Sequence, residues 1–360
     1  MKDATQIAES IERFRLSFWA RNGGLRPPVG VVPARTWLPI GYLRGPFERA
    51  YVTAADVTPA LARTDYEDGS IERQVFSDDW LPYSAPWRAV PWLEAMCGCP
   101  VRYAAGALAP EACVDHSAAL AERELPFDPA WSARLAAETA RLERELPGDC
   151  LASPTILRGP SDVVAAARGL SNFYLDLVDD PAGVARAAQA ANRLLCDVFD
   201  SHVAMVPPRL GGYGHIYGYW APGPTNVLQE DVLGMCRPAV YRDLFQPLNA
   251  AAVARMGPHT LFHLHSTGLR HWSDVLGVPG LAGLEITIES NGPRLADLLP
   301  ILRTVLERSR LMLFVDAWFE DLPEVLCRVP HDGLYLIISD RFINTEEVFR
   351  AFCAANLKYS

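Results

Sequence analysis

The sequence predicts a (β/α)₈ barrel, the α/β fold in which eight parallel strands alternate with helices. The first observation is a series of short apolar runs, at residues 49–55, 101–105, 151–157, 210–216, 260–264, 283–288, 311–315 and 334–338. The second is that amphipathic helical patterns, such as those over 131–146 and 184–203, separate most of these runs. Alternating strands and helices imply a parallel sheet with right-handed crossovers. About eight such units fit a closed barrel better than an open sheet.

The first part of the chain predicts an extension to this barrel. Residues 4–19 carry apolar side chains at helical spacing. From there to about residue 95 the chain is rich in proline and tryptophan, which is typical of irregular loops that cover a site. We therefore expect a helix and loop extension over residues 1–95, packed on the barrel. The barrel would begin with an early strand at 49–55 and have its remainder in 96–360.

The bulk composition favours a small-molecule partner. The chain has 360 residues, is 50% hydrophobic and carries a formal net charge of −10. This charge opposes binding to nucleic acid or to anionic membranes, and no run is long and apolar enough to span a bilayer. Eight scattered cysteines suit a reducing cytoplasm rather than a disulfide framework. Because Cys97-Gly-Cys99 is too tight for a zinc knuckle and has no matching second pair, free thiols are expected there.

The most informative stretch is Thr260-Leu-Phe-His-Leu-His-Ser-Thr-Gly268. Side chains alternate along a strand, so His263 and His265 face one side while Phe262 and Leu264 face the other. An imidazole in apolar surroundings needs a partner, and two imidazoles together suit a metal or an anionic substrate. The plainer alternative is that both rings hydrogen-bond to neighbouring strands.

Carboxylates follow the neighbouring predicted strands, at the ends where barrel enzymes gather their chemistry. Glu285 lies on the inner face of strand six, Asp316 ends strand seven and Asp340 ends strand eight. A buried carboxylate must be paired, protonated or bound to a metal. Zinc held by the two histidines and one carboxylate, Asp340 or Glu285, would keep an open fourth position for water or substrate. The alternative is an internal ion-pair network in which Arg341 balances Asp340.

Polar and aromatic residues near the same strand ends complete the predicted site. Asp231 and His215, with Asp316, are candidates for acid–base catalysis. For Asp231 the alternative is a solvated turn or a helix cap. Amphipathic aromatic rings line concave sites with a polar tip available. The predicted substrate-binding residues are Tyr217, Tyr219, Trp220, Trp318 and Arg341.

Several loose motifs occur in a specific order along the second half of the chain. They are Leu157-Arg-Gly-Pro160, Asp176-Leu-Val-Asp-Asp-Pro181, Gln229-Glu-Asp231, Arg237-Pro-Ala-Val-Tyr-Arg-Asp-Leu-Phe-Gln-Pro247 and Phe262-His-Leu-His-Ser-Thr-Gly268. In these motifs the chain resembles the uroporphyrinogen decarboxylase superfamily. The stretch Pro86-Trp-Arg-Ala-Val-Pro-Trp-Leu-Glu-Ala-Met-Cys-Gly-Cys-Pro100 is similar to a segment in some branches of that superfamily.

The resemblance implies a (β/α)₈ barrel and one of two activities. The decarboxylases of the superfamily carry an Arg-Gln-Ala-Gly-Arg loop, which this sequence lacks. Its zinc methyltransferases move a methyl group between a corrinoid protein and a thiol, and bind zinc through His-x-Cys and a cysteine after the last strand. Here His263 stands at the histidine position, His265 replaces the first cysteine, and Ser339 or Asp340 stands in place of the last. Replacing thiolates by imidazole and carboxylate makes zinc a stronger Lewis acid.

We therefore expect a cytoplasmic, zinc-dependent methyltransferase that acts with a corrinoid or thiol methyl carrier, the corrinoid being bound to a partner protein. The first alternative is a metal-independent decarboxylase, a lyase acting on a carboxylated small molecule or a porphyrinogen. In that enzyme the two histidines bind a carboxylate, and Asp231 or Asp316 manages protons. The second alternative is a barrel that binds a small ligand without turnover.

Overall fold

The computed structural model describes residues 2–22, 24–32, 51–57, 76–87, 90–104 and 107–357. The strands in these residues are β1 (Val29–Val32), β2 (Tyr51–Val52), β3 (Tyr83–Ser84), β4 (Val101–Ala104), β5 (Ala107–Pro110), β6 (Leu151–Ala152), β7 (Tyr213–Gly214), β8 (Trp220–Ala221), β9 (Thr225–Gln229), β10 (His259–His265), β11 (Gly283–Ile288), β12 (Arg310–Val315) and β13 (Leu334–Ser339). The α-helices are α1 (Ala4–Arg13), α2 (Trp92–Met96), α3 (Ala118–Ala121), α4 (Pro129–Glu145), α5 (Pro160–Arg168), α6 (Leu170–Asp179), α7 (Pro181–Met205), α8 (Pro238–Val240), α9 (Gln246–Met256), α10 (Trp272–Leu276), α11 (Leu299–Arg308), α12 (Leu322–Leu326) and α13 (Glu346–Asn356). Phe14–Trp19 and Tyr241–Phe245 are π-helical, and the 3-10 helices are Asp231–Met235, Ser266–His271, Leu295–Leu298 and Phe319–Asp321.

A six-stranded parallel sheet, in the order β1-β13-β12-β11-β10-β9, forms the centre of the molecule. Its strands β10 to β13 coincide with the last four apolar runs of the sequence. Helical segments connect them, because a parallel pair needs a crossover long enough to return to the starting edge. The predicted α/β class is therefore confirmed.

In the part of the chain that the structure describes, the ladder of this sheet does not close on itself. Strands β3 and β6 pair in parallel as a separate unit. A backbone hydrogen bond of 2.5 Å from Asp79 N to Val29 O joins β1 to the segment before β3. The structure therefore has a six-stranded parallel sheet and a nearby parallel pair, and the closed barrel stays a prediction.

The strand that pairs with the last strand lies earlier than predicted. It is β1, which is buried throughout and pairs in parallel with β13. Of the predicted first strand at 49–55, residues 49–50 lie outside the described residues, and β2 pairs antiparallel with β4 away from the central sheet. The predicted boundary near residue 95 stays a prediction. The sequence pattern misled because β1 is a run of only four apolar residues that directly follows two prolines.

A second correction concerns the run at 210–216. Its residues Tyr213 and Gly214 pair with β8 in a small antiparallel hairpin, which turns through Gly218 at a φ of +62°. Such a positive φ favours glycine, so the turn is encoded locally. The strand beside β10 in the central sheet is instead β9.

The two faces of the sheet pack against different layers. Alternate apolar side chains such as Phe262, Leu284 and Leu336 join the larger core, which also contains side chains of the surrounding helices. The opposite face, with Leu261 and Tyr335, packs on a smaller core that contains aromatic side chains of the π-helix Phe14–Trp19. Full burial of each such side chain contributes about 1.5–3 kcal/mol. The second face is also the one that carries the histidines of β10.

Within the described ranges, no helix combines the length and the apolar character needed to cross a lipid bilayer.

Candidate metal centre

Strand β10 brings two imidazoles to one side of the sheet. His263 lies opposite Gln229 of β9 and Glu285 of β11, and His265 lies opposite Thr287. The two rings are 4.5 Å apart between centroids and nearly perpendicular, at 83°. The alternation predicted from the sequence agrees with this arrangement, since Phe262 packs in the core on the other face.

Each imidazole is oriented by a carboxylate at its Nδ1 atom. His263 Nδ1 donates to Oε2 of Glu285, a residue with no solvent exposure. His265 Nδ1 donates to Oε2 of Glu289 at 3.0 Å. Thr287 Oγ1 in turn donates to the other oxygen of Glu285 at 2.8 Å. The carboxylate of Glu285 therefore lies behind His263 and fixes the orientation of its ring.

The Nε2 atoms of both rings face one oxygen of Asp231. His263 Nε2 lies 3.9 Å and His265 Nε2 lies 3.8 Å from Asp231 Oδ1. The three side chains offer ligand atoms that all lie within 4.8 Å of one another. In a tetrahedral zinc site with bonds of about 2.1 Å, ligand atoms are about 3.4 Å apart. The two nitrogen–oxygen distances would have to shorten by about half an ångström to close on an ion, so the donor set fits a divalent metal.

Asp231 is held in this position by residues from two other elements. It lies two residues beyond the end of β9, and its backbone N–H donates to Asp162 Oδ2 of α5 at 3.1 Å. The N–H of Val232 donates to Oδ1 of the same carboxylate at 2.9 Å. Gln229 Nε2 donates to Asp231 Oδ2 at 2.9 Å. These bonds leave Oδ1 directed at the imidazoles.

The electrostatics of the cluster favour positive charge. Hydrogen bonds with Asp231 and Glu289 raise the pKa of His265 to about 10. Burial lowers the pKa of His263, but the charge of Glu285, the hydrogen bond with it and the charge of Asp231 together outweigh burial, so the net pKa is raised. Burial raises the pKa of Asp231, but its hydrogen bond with His265 and the positive charges of His263, His265 and Arg158 together outweigh burial, so the net pKa is lowered. Three carboxylates around two imidazoles therefore attract protons or a cation.

A cleft of about 420 Å³, which includes space open to solvent, lies beside the three residues. Its polar wall includes Glu230, whose pKa burial raises to about 8. Its apolar wall includes Tyr241, Phe262 and Val275, which lie between the sheet and the neighbouring helices. A small molecule in this cleft would contact the proposed ligands directly.

Other residues predicted for the metal or for catalysis are not members of this ligand group. Asp340 is not in the ligand group, although it follows β13 as predicted. Glu285 is not in that group either, because it contacts His263 at Nδ1 and not at Nε2. The carboxylate in the group is that of Asp231, which was predicted as an acid–base catalyst. Asp316 forms an ion pair with Arg341. Arg341 thus pairs with Asp316, and the balance expected between Arg341 and Asp340 stays a prediction.

The predicted aromatic wall packs largely inside the protein. His215 is buried and stacks on Tyr217 and Tyr219 at 5.6 and 5.4 Å between ring centroids. Tyr219 bonds Thr225 at 2.7 Å and Trp220 Nε1 donates to a backbone carbonyl, so both belong to the core. Tyr217 alone of these reaches the site, with Oη 3.3 Å from His263 Nδ1.

These aromatic residues are buried away from the cleft. The sequence could not show this, because rings that line a site and rings that fill a core are the same residue types. None of His215, Tyr217, Tyr219 and Trp220 lines the cleft beside the three ligand residues. Trp318 is half-buried beneath the guanidinium of Arg294, 5.0 Å from its ring.

Sequence reasoning missed three residues that complete the site. Glu289 shares the face of Glu285, and that alternation was the signal that could have identified it as the partner of His265. Gln229 and Asp162 act on Asp231 through contacts whose geometry depends on the packing of α5 against β9. No local pattern reveals such a contact.

Comparison with known proteins extends the description of the fold. No protein-family model matches the sequence, and no curated protein matches it. The solved structure of a methyltransferase from Methanosarcina mazei matches with a TM-score of 0.60 at 12% sequence identity, over 96% of this chain and 98% of that chain. The protein therefore shares the overall fold of that methyltransferase.

Proposed function

We propose that the protein is a methyltransferase that binds zinc through Asp231, His263 and His265. The observation that carries the proposal is the geometry of the two histidines. Both Nε2 atoms face Asp231 Oδ1, while both Nδ1 atoms donate to carboxylates. Metal-binding histidines in proteins usually have this second bond, which fixes the tautomer and makes the ligand more basic. The fold shared with a methyltransferase supports the reaction class.

The side chains of the site have distinct tasks in this proposal. Glu285 and Glu289 keep the imidazoles in the orientation in which Nε2 can bind a metal. Each imidazole gives up its Nε2 proton when it binds the metal, because only the neutral ring has a free lone pair at that atom. Each ring keeps the Nδ1 proton that it donates to its carboxylate. Gln229 holds one oxygen of Asp231 and leaves the other for ligation.

The bound zinc would supply a Lewis acid that lowers the pKa of a thiol in its open position. The cleft that Asp231, His263 and His265 line would admit that thiol. We further propose that the methyl group comes from a corrinoid on a partner protein, as in the superfamily that the sequence resembles. Arg341 and Trp318, which follow β13 and β12, would contact the substrate at the rim.

The metal content of the purified protein tests the site. After dialysis against metal-free buffer, wild type should retain about one zinc per chain and His265→Ala almost none. His331→Ala is the matched control, because His331 is half-buried and bonds only to a carbonyl of its own loop in the described structure. Zinc-free wild type that also fails to bind added zinc would refute the site.

The reaction is tested with methylcobalamin as the methyl donor and a set of small thiols as acceptors. Formation of the methyl thioether by zinc-loaded wild type, and its loss in His263→Ala, would support the proposal. If zinc binds at these residues but no thiol is methylated, the metal site stands and the reaction class is wrong.

One observation favours a lyase as the second candidate. The raised pKa values of His263 and His265 mean that both rings can hold protons in the absence of a metal. Two imidazolium Nε2–H groups on one side of a cleft could bind a substrate carboxylate. Carboxylate binding that survives a chelator and is lost in His263→Ala would favour this candidate over the methyltransferase.

We also infer that β1, β3, β6 and β9 to β13 form a closed (β/α)₈ barrel. All eight strands run parallel to their neighbours in the pairs described, and the bond from Asp79 N to Val29 O joins the larger sheet to the segment before β3. A crystal structure in which β6 pairs with β9 would support closure, and a permanent gap between them would exclude it.

A further inference from the structure

A second cluster of reactive side chains lies at the base of the β4–β5 hairpin. Cys99 precedes β4 and Cys113 follows β5, and the antiparallel pairing of Val101 with Pro110 brings the two cysteines together. Their Sγ atoms are 3.6 Å apart. Cys99 is buried and Cys113 is half-buried, so a small reagent can reach the second sulfur first.

The guanidinium of Arg123 lies beside the more accessible sulfur. Its Nη1 is 3.5 Å from Cys113 Sγ and donates to the carbonyl of Cys97 at 2.8 Å. Its Nη2 donates to the carbonyl of Cys113 at 2.7 Å. Three contacts therefore fix a cation next to the sulfur, and a nearby cation favours the thiolate, the reactive form of cysteine.

Gly98 makes room for this arrangement. It has a φ of +92°, and a Cβ at this position would lie 2.5 Å from the ring of Phe127 and 2.9 Å from Arg123 Nη1. The ring of Phe127 also packs 4.6 Å from the guanidinium. The sequence Cys97-Gly-Cys99 thus has a structural role that a zinc knuckle would not explain.

The two thiols have opposite tendencies. The hydrogen bond with Cys99, helped by Arg123, lowers the pKa of Cys113 to about 7 although burial opposes it. The same hydrogen bond and burial raise the pKa of Cys99. One sulfur is therefore a nucleophile near neutral pH, and the other is a thiol 3.6 Å away that can react with it once it is oxidised.

We propose that Cys113 and Cys99 form a redox-active pair that reacts with a peroxide and closes a reversible disulfide. In the first step the Cys113 thiolate attacks a peroxide oxygen, the O–O bond breaks, and the leaving hydroxide takes up a proton to form water. In the second step the Cys99 sulfur attacks the sulfenic sulfur of Cys113, the S–O bond breaks, and the leaving hydroxide takes the Cys99 proton. Two thiols and one hydrogen peroxide thus give one disulfide and two waters, and a reducing thiol restores the pair.

Alkylation kinetics test the nucleophile. The experiment uses the full chain with exposed Cys327 replaced by serine, treats it with iodoacetamide at pH 7, and maps the modified peptides by mass spectrometry. Cys113 should react about tenfold or more faster than Cys353, which is also half-buried but has a pKa raised by burial to about 11. In Arg123→Met the midpoint of the rate against pH should move upward for Cys113 alone. Equal rates at Cys113 and Cys353 would overturn the proposal.

Stoichiometric hydrogen peroxide tests the disulfide. Wild type should lose the mass of two hydrogens and yield a reducible link between the peptides of Cys99 and Cys113. Cys97→Ser is the matched control and should keep that link, whereas Cys99→Ser should lose it and accumulate the sulfenic acid of Cys113. No link in wild type, or a link that persists in Cys99→Ser, would refute the pair. Circular dichroism confirms that each variant is folded.

Discussion

Replacing Glu285 by glutamine isolates the role of the carboxylate behind His263, because it leaves all three proposed ligands in place. Glu285 has no solvent exposure and accepts hydrogen bonds from His263 Nδ1 and, at 2.8 Å, from Thr287 Oγ1. Glutamine has nearly the same shape and can still accept the bond from the imidazole. The substitution therefore removes a negative charge and little else.

Two effects of this charge oppose each other in the zinc affinity. Without the carboxylate the imidazole of His263 is easier to deprotonate, which favours ligation. A carboxylate attracts a dication about twice as strongly as the proton that competes with it, so its loss weakens binding overall. Loss of such an orienting partner typically costs 10–100-fold in affinity, or about 1.4–2.7 kcal/mol. We expect the apparent zinc Kd of Glu285→Gln to rise within that range.

The assay is competition with a chromophoric zinc chelator at pH 7, combined with calorimetry in two buffers of different ionisation enthalpy. Glu285→Gln should release fewer protons per zinc than wild type, because His263 is no longer held protonated. Glu289→Gln is the control. Its carboxylate lies 3.0 Å from His265 and is 29% exposed, so solvent screening should keep its effect below about tenfold. A Kd for Glu285→Gln within about threefold of wild type, or a larger effect in Glu289→Gln, would refute the assigned role.

Three further predictions concern stability. Asp79→Asn should lower the free energy of unfolding by about 3 kcal/mol, because the buried carboxylate accepts hydrogen bonds from Arg13 and Arg26 at 2.6 Å each. Urea unfolding measures the change, and a decrease below about 1 kcal/mol would contradict the prediction. Burial lowers the pKa of His215 to about 3. Between about pH 6.5 and 3, therefore, the imidazole is protonated in the unfolded chain but not in the folded one. The free energy of unfolding should fall over this range as the pH drops, by up to about 1.4 kcal/mol per pH unit. His215→Gln should flatten this pH dependence, and an unchanged slope would show that the histidine is not buried. Gly30→Ala should lower the free energy of unfolding by about 1–3 kcal/mol, because the added Cβ would lie 2.7 Å from Tyr335 Oη. Thermal unfolding measures the change, and a melting temperature equal to that of wild type would contradict this packing.

The parts of the fold that could be predicted from the sequence are those with long local patterns. Strands β12 and β13 contain unbroken apolar runs at 311–315 and 334–338, and the helical segments between such strands define the α/β class. Strand β1 was missed because four apolar residues after two prolines carry too little pattern. Strand β9 was missed because Thr225-Asn-Val-Leu-Gln229 mixes polar and apolar side chains, although four of these five residues are buried.

The sequence likewise predicts some residues of the candidate site and not others. The common orientation of His263 and His265 follows from the two-residue period of a strand, so it could be predicted. The position of Asp231 could not be predicted, because hydrogen bonds that its loop donates to the distant Asp162 fix that loop. Trp220 was predicted for the pocket wall, but burial depends on which layer covers a ring and not on its composition.

The π-helix Phe14–Trp19 has a consequence for how the chain is made. Its Phe14 ring packs 4.9 Å from Tyr335, and the carbonyl of Ser17 accepts from Gly333 N at 2.9 Å. These partners leave the ribosome more than 300 residues later, which at 5–20 residues per second is roughly 15–60 s. During that time the aromatic face has no native cover from β13 and needs a chaperone or transient contacts. The smaller core should therefore assemble only after the last strand is made. Its rate of assembly should depend on the contact between Phe14–Trp19 and β13, which are far apart in the sequence.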